Sequence, residues 1–172
     1  MPHALFPTKF GTCGIAWNEA GLTCFQLPDD TEALTEERMA ARGGTQPGAP
    51  PAWVRGIIAR VQLHLEGNLQ DFSGTALDRS CASDFQMSVY VQTQAIKPGF
   101  KKSYGEIARL MALGNESARA VGMALAANPW PLIVPCHRVV SAGGKMTGFS
   151  APGGVRTKTR LLALEGAELL SE

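Results

Sequence analysis

A cysteine and a histidine stand side by side in residues 135–140, which read Pro-Cys-His-Arg-Val-Val. A short apolar run bounded by prolines precedes the pair, and this favours a rigid turn in dry surroundings over a helix. A thiol beside an imidazole in such a setting has the composition of an activated nucleophile. Taken alone, a Cys-His pair is more often a small buried hydrophobe beside a packing histidine. Cys136 and His137 therefore need support from the rest of the chain.

The net charge of +1 hides an uneven distribution of charge along the 172 residues. Residues 1–96 contain 6 Lys and Arg against 10 Asp and Glu, whereas residues 97–160 contain 10 against 2. A basic block around the Cys-His turn favours a polyanionic partner such as nucleic acid. On charge alone, a solvated basic face is the alternative.

Composition and cysteine spacing limit the class of protein. With 45% hydrophobic and 18% charged residues, the chain is expected to be globular. It contains neither an apolar run of membrane-spanning length nor a signal-peptide pattern, so we expect no membrane association and a cytoplasmic location. The four cysteines lack Cys-x-x-Cys spacing, which argues against a zinc ribbon or a disulfide framework.

The first half of the chain predicts a small α/β unit. Its expected elements are a hairpin over residues 10–27, a surface helix over 30–39, a flexible Gly- and Pro-rich connection over 40–51 and an amphipathic helix over 53–65. His64 is expected to be a surface or packing residue, because nothing nearby completes a metal set. We place a domain boundary between residues 82 and 83.

The second half predicts a series of helices that includes a helix-turn-helix. An amphipathic helix over 84–96 ends at a Pro-Gly pair. Ser103 begins the next helix in a capping-box pattern, and a Gly-containing turn separates that helix from an Ala-rich helix over 117–127. The Ala-rich helix offers one long cation, Arg119, and many small residues. Such a helix can approach a DNA groove closely but can make few hydrogen bonds to base edges. The alternative interpretation is an Ala-rich helix that packs in the core.

Five motifs in this order resemble the O6-alkylguanine-DNA alkyltransferase family. They are residues 103–108 (SYGEIA), 118–122 (ARAVG), 126–129 (AANP), 135–140 (PCHRVV) and 161–166 (LLALEG). The match is strong over residues 83–170 and loose over 1–80. The resemblance implies an α+β fold, with an N-terminal α/β domain that has a ribonuclease-H-like sheet (1–82) and a mainly helical C-terminal domain (83–172).

The resemblance also implies a function for the chain and a role for each matched residue. The chain would be a monomeric repair protein without cofactor whose partner is double-stranded DNA that contains O6-alkylguanine. O4-alkylthymine would be a second substrate. Cys136 would accept the alkyl group once, His137 would be its proton partner through a water, Glu165 would orient His137, and Asn128 would be a hinge. The expected DNA contacts are Ser103, Tyr104, Gly105, Ala118, Arg119 and Arg138. Of these, Arg119 would fill the gap that base flipping leaves in the stack. The expected guanine pocket is Leu125, Pro131, Val139, Met146, Phe149 and Ser150.

The chain departs from the family pattern at several positions. Tyr90 stands where Trp is usual, and Phe149 stands where Tyr is common. The turn between the two helices is one residue longer than usual and carries Glu116. Because Asn18 and Thr23 occupy the hairpin region that holds zinc ligands in some relatives, no metal is expected.

Other classes of function remain open at this stage. A non-catalytic sensor would bind alkylated DNA without a change in its own mass, and a helix-turn-helix regulator would show sequence preference. A Cys-His hydrolase would turn over many ester or amide molecules. Cysteine at position 136 argues against the sensor, because relatives that only bind lesions carry another residue there.

Overall fold

The computed structural model of the protein describes residues 1–43, 46–143, 149 and 151–167. Its strands are β1 (Pro2–Thr8), β2 (Gly11–Asn18), β3 (Gly21–Gln26), β4 (Gln46–Pro47), β5 (Lys102–Ser103) and β6 (Val139–Val140). Its α-helices are α1 (Glu32–Ala41), α2 (Ala52–Leu65), α3 (Asp84–Gln94), α4 (Tyr104–Leu110), α5 (Ala118–Ala126) and α6 (Val155–Leu164). Short 3-10 helices cover Arg79–Cys81, Asn115–Ser117 and Cys136–Arg138. The predicted α+β class, with an N-terminal sheet and a helical C-terminal part, is confirmed.

A four-stranded sheet in the order β3-β2-β1-β4 forms the N-terminal part. The predicted hairpin is confirmed, since β2 and β3 pair antiparallel and close at Asn18 and Gly21. Gly21 has φ +148, and a Cβ there would lie 2.7 Å from the carbonyl oxygen of Ala76, so the turn requires glycine. The connection over 40–51 is not wholly irregular, because β4 lies in it and pairs parallel with β1. The edge of β1 offers the backbone partners for this short strand.

The C-terminal helices begin where the sequence places their caps. Ser83 and Gln86 form a complete capping box at α3, and the Ser103 hydroxyl accepts the backbone N–H of Glu106 at α4. Helices α4 and α5 pack against each other as a helix-turn-helix. The turn between them contains Ala112 at φ +60, a left-handed conformation that is uncommon outside glycine.

One cluster of buried apolar side chains contains residues from both parts of the chain. The segment before the Cys-His turn lies against β3: the Phe25 N–H donates to the Pro129 carbonyl at 2.9 Å, and the Trp130 indole N–H donates to the Leu22 carbonyl at 2.8 Å. The N-terminal sheet thus supports the candidate site directly. In the part of the chain that the structure describes, no helix is long and apolar enough to cross a membrane.

Candidate active site and DNA-binding surface

Asn128 fixes the segment that leads to Cys136. Its amide nitrogen donates to the Val134 carbonyl at 3.0 Å, and its amide oxygen accepts the backbone N–H of Trp130 at 2.9 Å. Between them Leu132 adopts φ +76, a conformation that costs about 1 kcal/mol or more and that burial of its side chain holds in place. Asn128 lies two residues after the end of α5, so the candidate DNA-binding helix and the Cys-His turn share one anchor.

Cys136 lies at the start of the 3-10 turn, and the whole residue is 8% exposed. Burial raises its pKa, against the opposing effects of the Asn128 amide, the Lys158 ammonium and the backbone N–H groups of Cys136 and His137. Each of these groups favours the negative charge that would develop on sulfur. The thiol is therefore protonated at rest, and its loss of a proton requires a base.

His137 has the arrangement of such a base. Its Nε2 lies 2.9 and 3.0 Å from the two carboxylate oxygens of Glu165. Burial lowers the pKa of the imidazole, although the Glu165 carboxylate opposes that shift, so the ring is neutral with its proton on Nε2. The other nitrogen, Nδ1, is buried and has no hydrogen-bond partner among the described residues. His137, the residue after Cys136, therefore presents a ring nitrogen that carries no proton and can accept one.

Glu165, at the C-terminal end of α6, is the centre of a buried charge network. Its oxygens also accept Nε and Nη2 of Arg138, at 2.9 and 2.7 Å, and Nε2 of His64 at 2.8 Å. Burial acts to raise the pKa of the carboxyl, but His137, Arg138 and His64 together hold it well below its usual range. Glu165 is therefore a carboxylate at any physiological pH and has the geometry to orient His137.

The structure does not place Arg138 where we expected it. Its side chain is 5% exposed, and its remaining guanidinium nitrogen donates to the Ile96 carbonyl at 2.7 Å. The guanidinium hydrogen bonds go to Glu165 and Ile96, and a buried cation needs such partners because an unpaired buried charge is costly. Contact of the Arg138 side chain with DNA is a wrong expectation, and its place is in the Glu165 network.

Two residues in the site were missed by the sequence analysis. His64, expected to be a surface or packing residue, is fully buried and contacts Glu165. Lys158 donates to the Val139 carbonyl at 2.7 Å and lies 5.9 Å from the centre of the Tyr104 ring. Burial lowers the pKa of Lys158 to about 8, although the nearby Cys136 opposes that shift. A signal for Lys158 was available, since it precedes Glu165 by two helical turns and shares its face of α6.

A cavity of about 890 Å³ opens on the helix-turn-helix. It is lined by most of the expected DNA contacts, namely Ser103, Tyr104, Gly105, Ala118 and Arg119, together with Gly122 and the residues that follow β6. The parallel pairing of β5 with β6, Lys102 with Val139 and Ser103 with Val140, joins the start of α4 to the Cys-His turn. The lining of this cavity and the turn that carries Cys136 are therefore connected through backbone pairing.

The expected guanine pocket is described in part. Leu125 and Val139 are buried in the same apolar cluster as Cys136, and the half-buried Phe149 packs against that cluster. Pro131 is buried and bridges to Val134 in the tight turn before the thiol. Met146 and Ser150 lie outside the described residues.

Tyr90 supports the thiol from α3. Its hydroxyl donates to the Ala124 carbonyl at 2.6 Å, and its ring meets Trp130 edge to face at 6.0 Å. Burial raises the pKa of the phenol to about 12, and the neighbouring Cys136 adds to that shift. Tyrosine thus connects α3 to α5 and to the segment before the thiol.

The hairpin region contains an amide-carboxylate contact. The Asn18 amide donates to Asp78 at 2.6 Å and thereby ties the β2-β3 turn to the segment before α3. Within residues 1–43, 46–143, 149 and 151–167, no group of three His, Cys, Asp or Glu side chains is placed to hold a metal ion.

Comparison with known proteins agrees with this geometry. Residues 84–167 match the family model of the 6-O-methylguanine DNA methyltransferase, DNA binding domain. The methylated-DNA--protein-cysteine methyltransferase of Methanosarcina acetivorans is 32% identical over 174 residues, covering 97% of this chain and 99% of the relative. The enzyme of the same name from Methanothermobacter thermautotrophicus is 30% identical over 156 residues, covering 91% and 80%. The crystal structure of Mycobacterium tuberculosis OGT in complex with DNA is similar at TM-score 0.77 and 31% identity, covering 96% and 93%.

A helix-turn-helix joined to a buried Cys-His-Glu arrangement defines a DNA-binding protein with a cysteine nucleophile. On the similarity of sequence and fold, the chain belongs to the methylated-DNA--protein-cysteine methyltransferase family of DNA-repair enzymes.

Proposed function

We propose that the protein transfers the alkyl group of O6-alkylguanine in duplex DNA to Sγ of its own Cys136. The observation that carries this proposal is the buried thiol next to His137, whose Nε2 is fixed on Glu165 and whose Nδ1 is unpartnered among the described residues. In this arrangement His137 can take the thiol proton and share the resulting positive charge with a carboxylate. Cys136 is the catalytic nucleophile and His137 the general base.

The reaction exchanges one bond for another. The thiolate attacks the alkyl carbon, an S–C bond forms, and the C–O6 bond breaks with its electron pair going to the guanine. The guanine regains a proton, which balances the one lost by the thiol. Because none of the described groups around Cys136 can cleave the thioether, each protein molecule acts once.

The buried position of Cys136 requires that the target base leave the duplex. A base in the stack cannot reach the thiol of a residue that is only 8% exposed, so we infer that the nucleotide is flipped. Flipping costs a few kcal/mol, and less for an alkylated pair that is already weakened. Arg119, exposed on α5 at the cavity, is the residue that would fill the gap in the stack.

The proposed DNA contacts follow the lining of the cavity. Tyr104 at the start of α4 would hold the phosphate of the flipped nucleotide, with Ser103 and Gly105 beside it, while Ala118 lets the backbone approach the groove. The flipped base would lie among Leu125, Pro131, Val139 and Phe149, with Met146 and Ser150 completing the pocket. O4-alkylthymine, which carries its alkyl group on an exocyclic oxygen, is a second substrate of this pocket.

We further propose that the protein acts as a monomer in the cytoplasm. All four cysteines, Cys13, Cys24, Cys81 and Cys136, are free thiols, and a reducing compartment such as the cytoplasm keeps thiols in this state.

Intact-mass analysis after incubation with duplex DNA that contains O6-methylguanine tests the proposal. The expected result is a single mass increase of about 14 Da, mapped by peptide analysis to Cys136 and absent in Cys136→Ala. Tight binding of the damaged duplex without a mass change would instead support a lesion sensor. Transfer that continues beyond one equivalent would support a hydrolase.

A further inference from the structure

A histidine from the N-terminal part of the chain contacts the carboxylate that orients His137. His64 lies in the last turn of α2, and its Nε2 is 2.8 Å from Oε2 of Glu165. Its other ring nitrogen, Nδ1, accepts the backbone N–H of Gln70 at 2.9 Å. A backbone N–H only donates, so Nδ1 carries no proton and the ring proton is on Nε2. His64 therefore donates to Glu165 as a neutral imidazole.

This contact completes the hydrogen bonding of the Glu165 carboxylate. A carboxylate has about four lone-pair sites, and four N–H groups point at this one: two from Arg138, one from His137 and one from His64. With every site filled, the carboxylate cannot rotate without breaking a buried hydrogen bond. Loss of the His64 N–H leaves one lone-pair site of Oε2 unfilled, and the carboxylate is then held only by Arg138 and His137.

The His64 ring is itself held in place. It packs at 5.4 Å from the Phe72 ring, and the Gln70 hydrogen bond joins it to the loop after α2. A residue needed for packing alone could be apolar at this fully buried position. Packing does not explain why the Nε2–H of His64 points at the Glu165 carboxylate.

We propose that His64 is a positioning residue for alkyl transfer. By donating to Oε2 of Glu165, it keeps the carboxylate in the orientation that fixes the His137 ring with Nδ1 free to accept the thiol proton. This role rests on the proposed function. It makes the N-terminal part of the chain a component of the active site, in addition to its support of the segment before Cys136.

Two substitutions separate the two hydrogen bonds of His64. In His64→Gln the side-chain nitrogen can reach the position of Nε2, so the donor to Glu165 is kept. In His64→Asn the shorter side chain keeps an acceptor for the Gln70 N–H and loses the reach to Glu165. The pair are matched controls, because both place an amide at the same buried site.

The assay is single-turnover methyl transfer from duplex DNA that contains O6-methylguanine, together with the Kd for an unmodified duplex. His64→Asn is expected to lower the transfer rate constant about tenfold or more with an unchanged Kd, since a small misplacement of a catalytic group has effects of this size. His64→Gln is expected to recover most of the rate. Wild-type rates in His64→Asn, or equal slowing in both variants, would overturn the proposal.

A measurement on the unmodified protein keeps the proposal falsifiable if the variants do not fold. Nitrogen-15 spectra of the histidine rings are expected to show His64 and His137 as neutral imidazoles with the proton on Nε2. A His64 proton on Nδ1, or a doubly protonated ring, would overturn the role. Absence of methyl transfer by the wild-type protein would overturn the proposed function and this role together, whereas normal transfer by wild type and His64→Asn alike would overturn the role alone.

Discussion

The Glu165 network provides the sharpest prediction about stability. Glu165→Gln keeps the shape of the side chain but removes the charge that pairs with Arg138, whose guanidinium is buried and has only internal contacts. Leaving one member of a buried ion pair without its partner costs about 3–5 kcal/mol. For a chain of this length, each kcal/mol lowers the Tm by about 2–4 °C, so the Tm should fall by about 6–20 °C.

The assay is thermal unfolding of wild type, Glu165→Gln and the double variant Glu165→Gln/Arg138→Met. Because the methionine removes the unpaired cation, the double variant is expected to recover part of the lost Tm. A Tm for Glu165→Gln within about 2 °C of wild type would refute the reasoning, since it would mean that the network contributes less than about 1 kcal/mol.

The same variant has a defined pH dependence. The pKa of Glu165 in the folded protein lies below its unfolded value, so its contribution to stability is present above that unfolded value, about 4.3, and is lost as the pH falls toward the folded pKa. The stability difference between wild type and Glu165→Gln should therefore be constant near neutral pH and shrink below about pH 4.

Three further predictions concern single residues. Arg119→Ala should slow methyl transfer from duplex DNA far more than reaction with the free base O6-methylguanine, because only the duplex needs the gap filled; equal slowing would remove this role. Asn128→Ala should lower the free energy of unfolding by about 1–3 kcal/mol, because the segment before Cys136 loses its anchor. It should also raise the pKa of Cys136, because the thiolate loses the Asn128 amide as a donor; the pH dependence of Cys136 alkylation by iodoacetamide measures this. Lys158→Met should remove a pH dependence of stability, because the pKa of Lys158 is about 8 in the folded protein and higher in the unfolded chain. The stability of wild type relative to Lys158→Met should therefore rise between about pH 8 and 10. A flat difference would contradict the burial of the charge.

The sequence predicts those parts of the site whose structure depends on residues close to one another along the chain. Ser103 begins α4 because its hydroxyl can cap a helix, and the proline-bounded run before Cys136 does form a rigid turn. The helix-turn-helix and the β2-β3 hairpin are local in the same sense. Each depends on residues within one or two turns of one another, so the pattern along the chain contains the necessary information.

The parts that the sequence does not predict depend on contacts between distant residues. His64 and Glu165 are 101 residues apart, and no periodicity around position 64 indicates that its imidazole meets a carboxylate. The resemblance places Arg138 among the DNA contacts, whereas in the fold its guanidinium is buried against Glu165, which lies 27 residues away in the sequence. The two-residue β4 was hidden in a Gly- and Pro-rich segment, because only pairing with β1 defines it.

Titration of the protein with increasing amounts of duplex DNA that contains O6-methylguanine tests the central claim most directly. The amount of methyl group on protein should rise linearly and stop at one equivalent per molecule, with no transfer to Cys136→Ala. A plateau well above one equivalent, or methyl groups on a residue other than Cys136, would contradict the account.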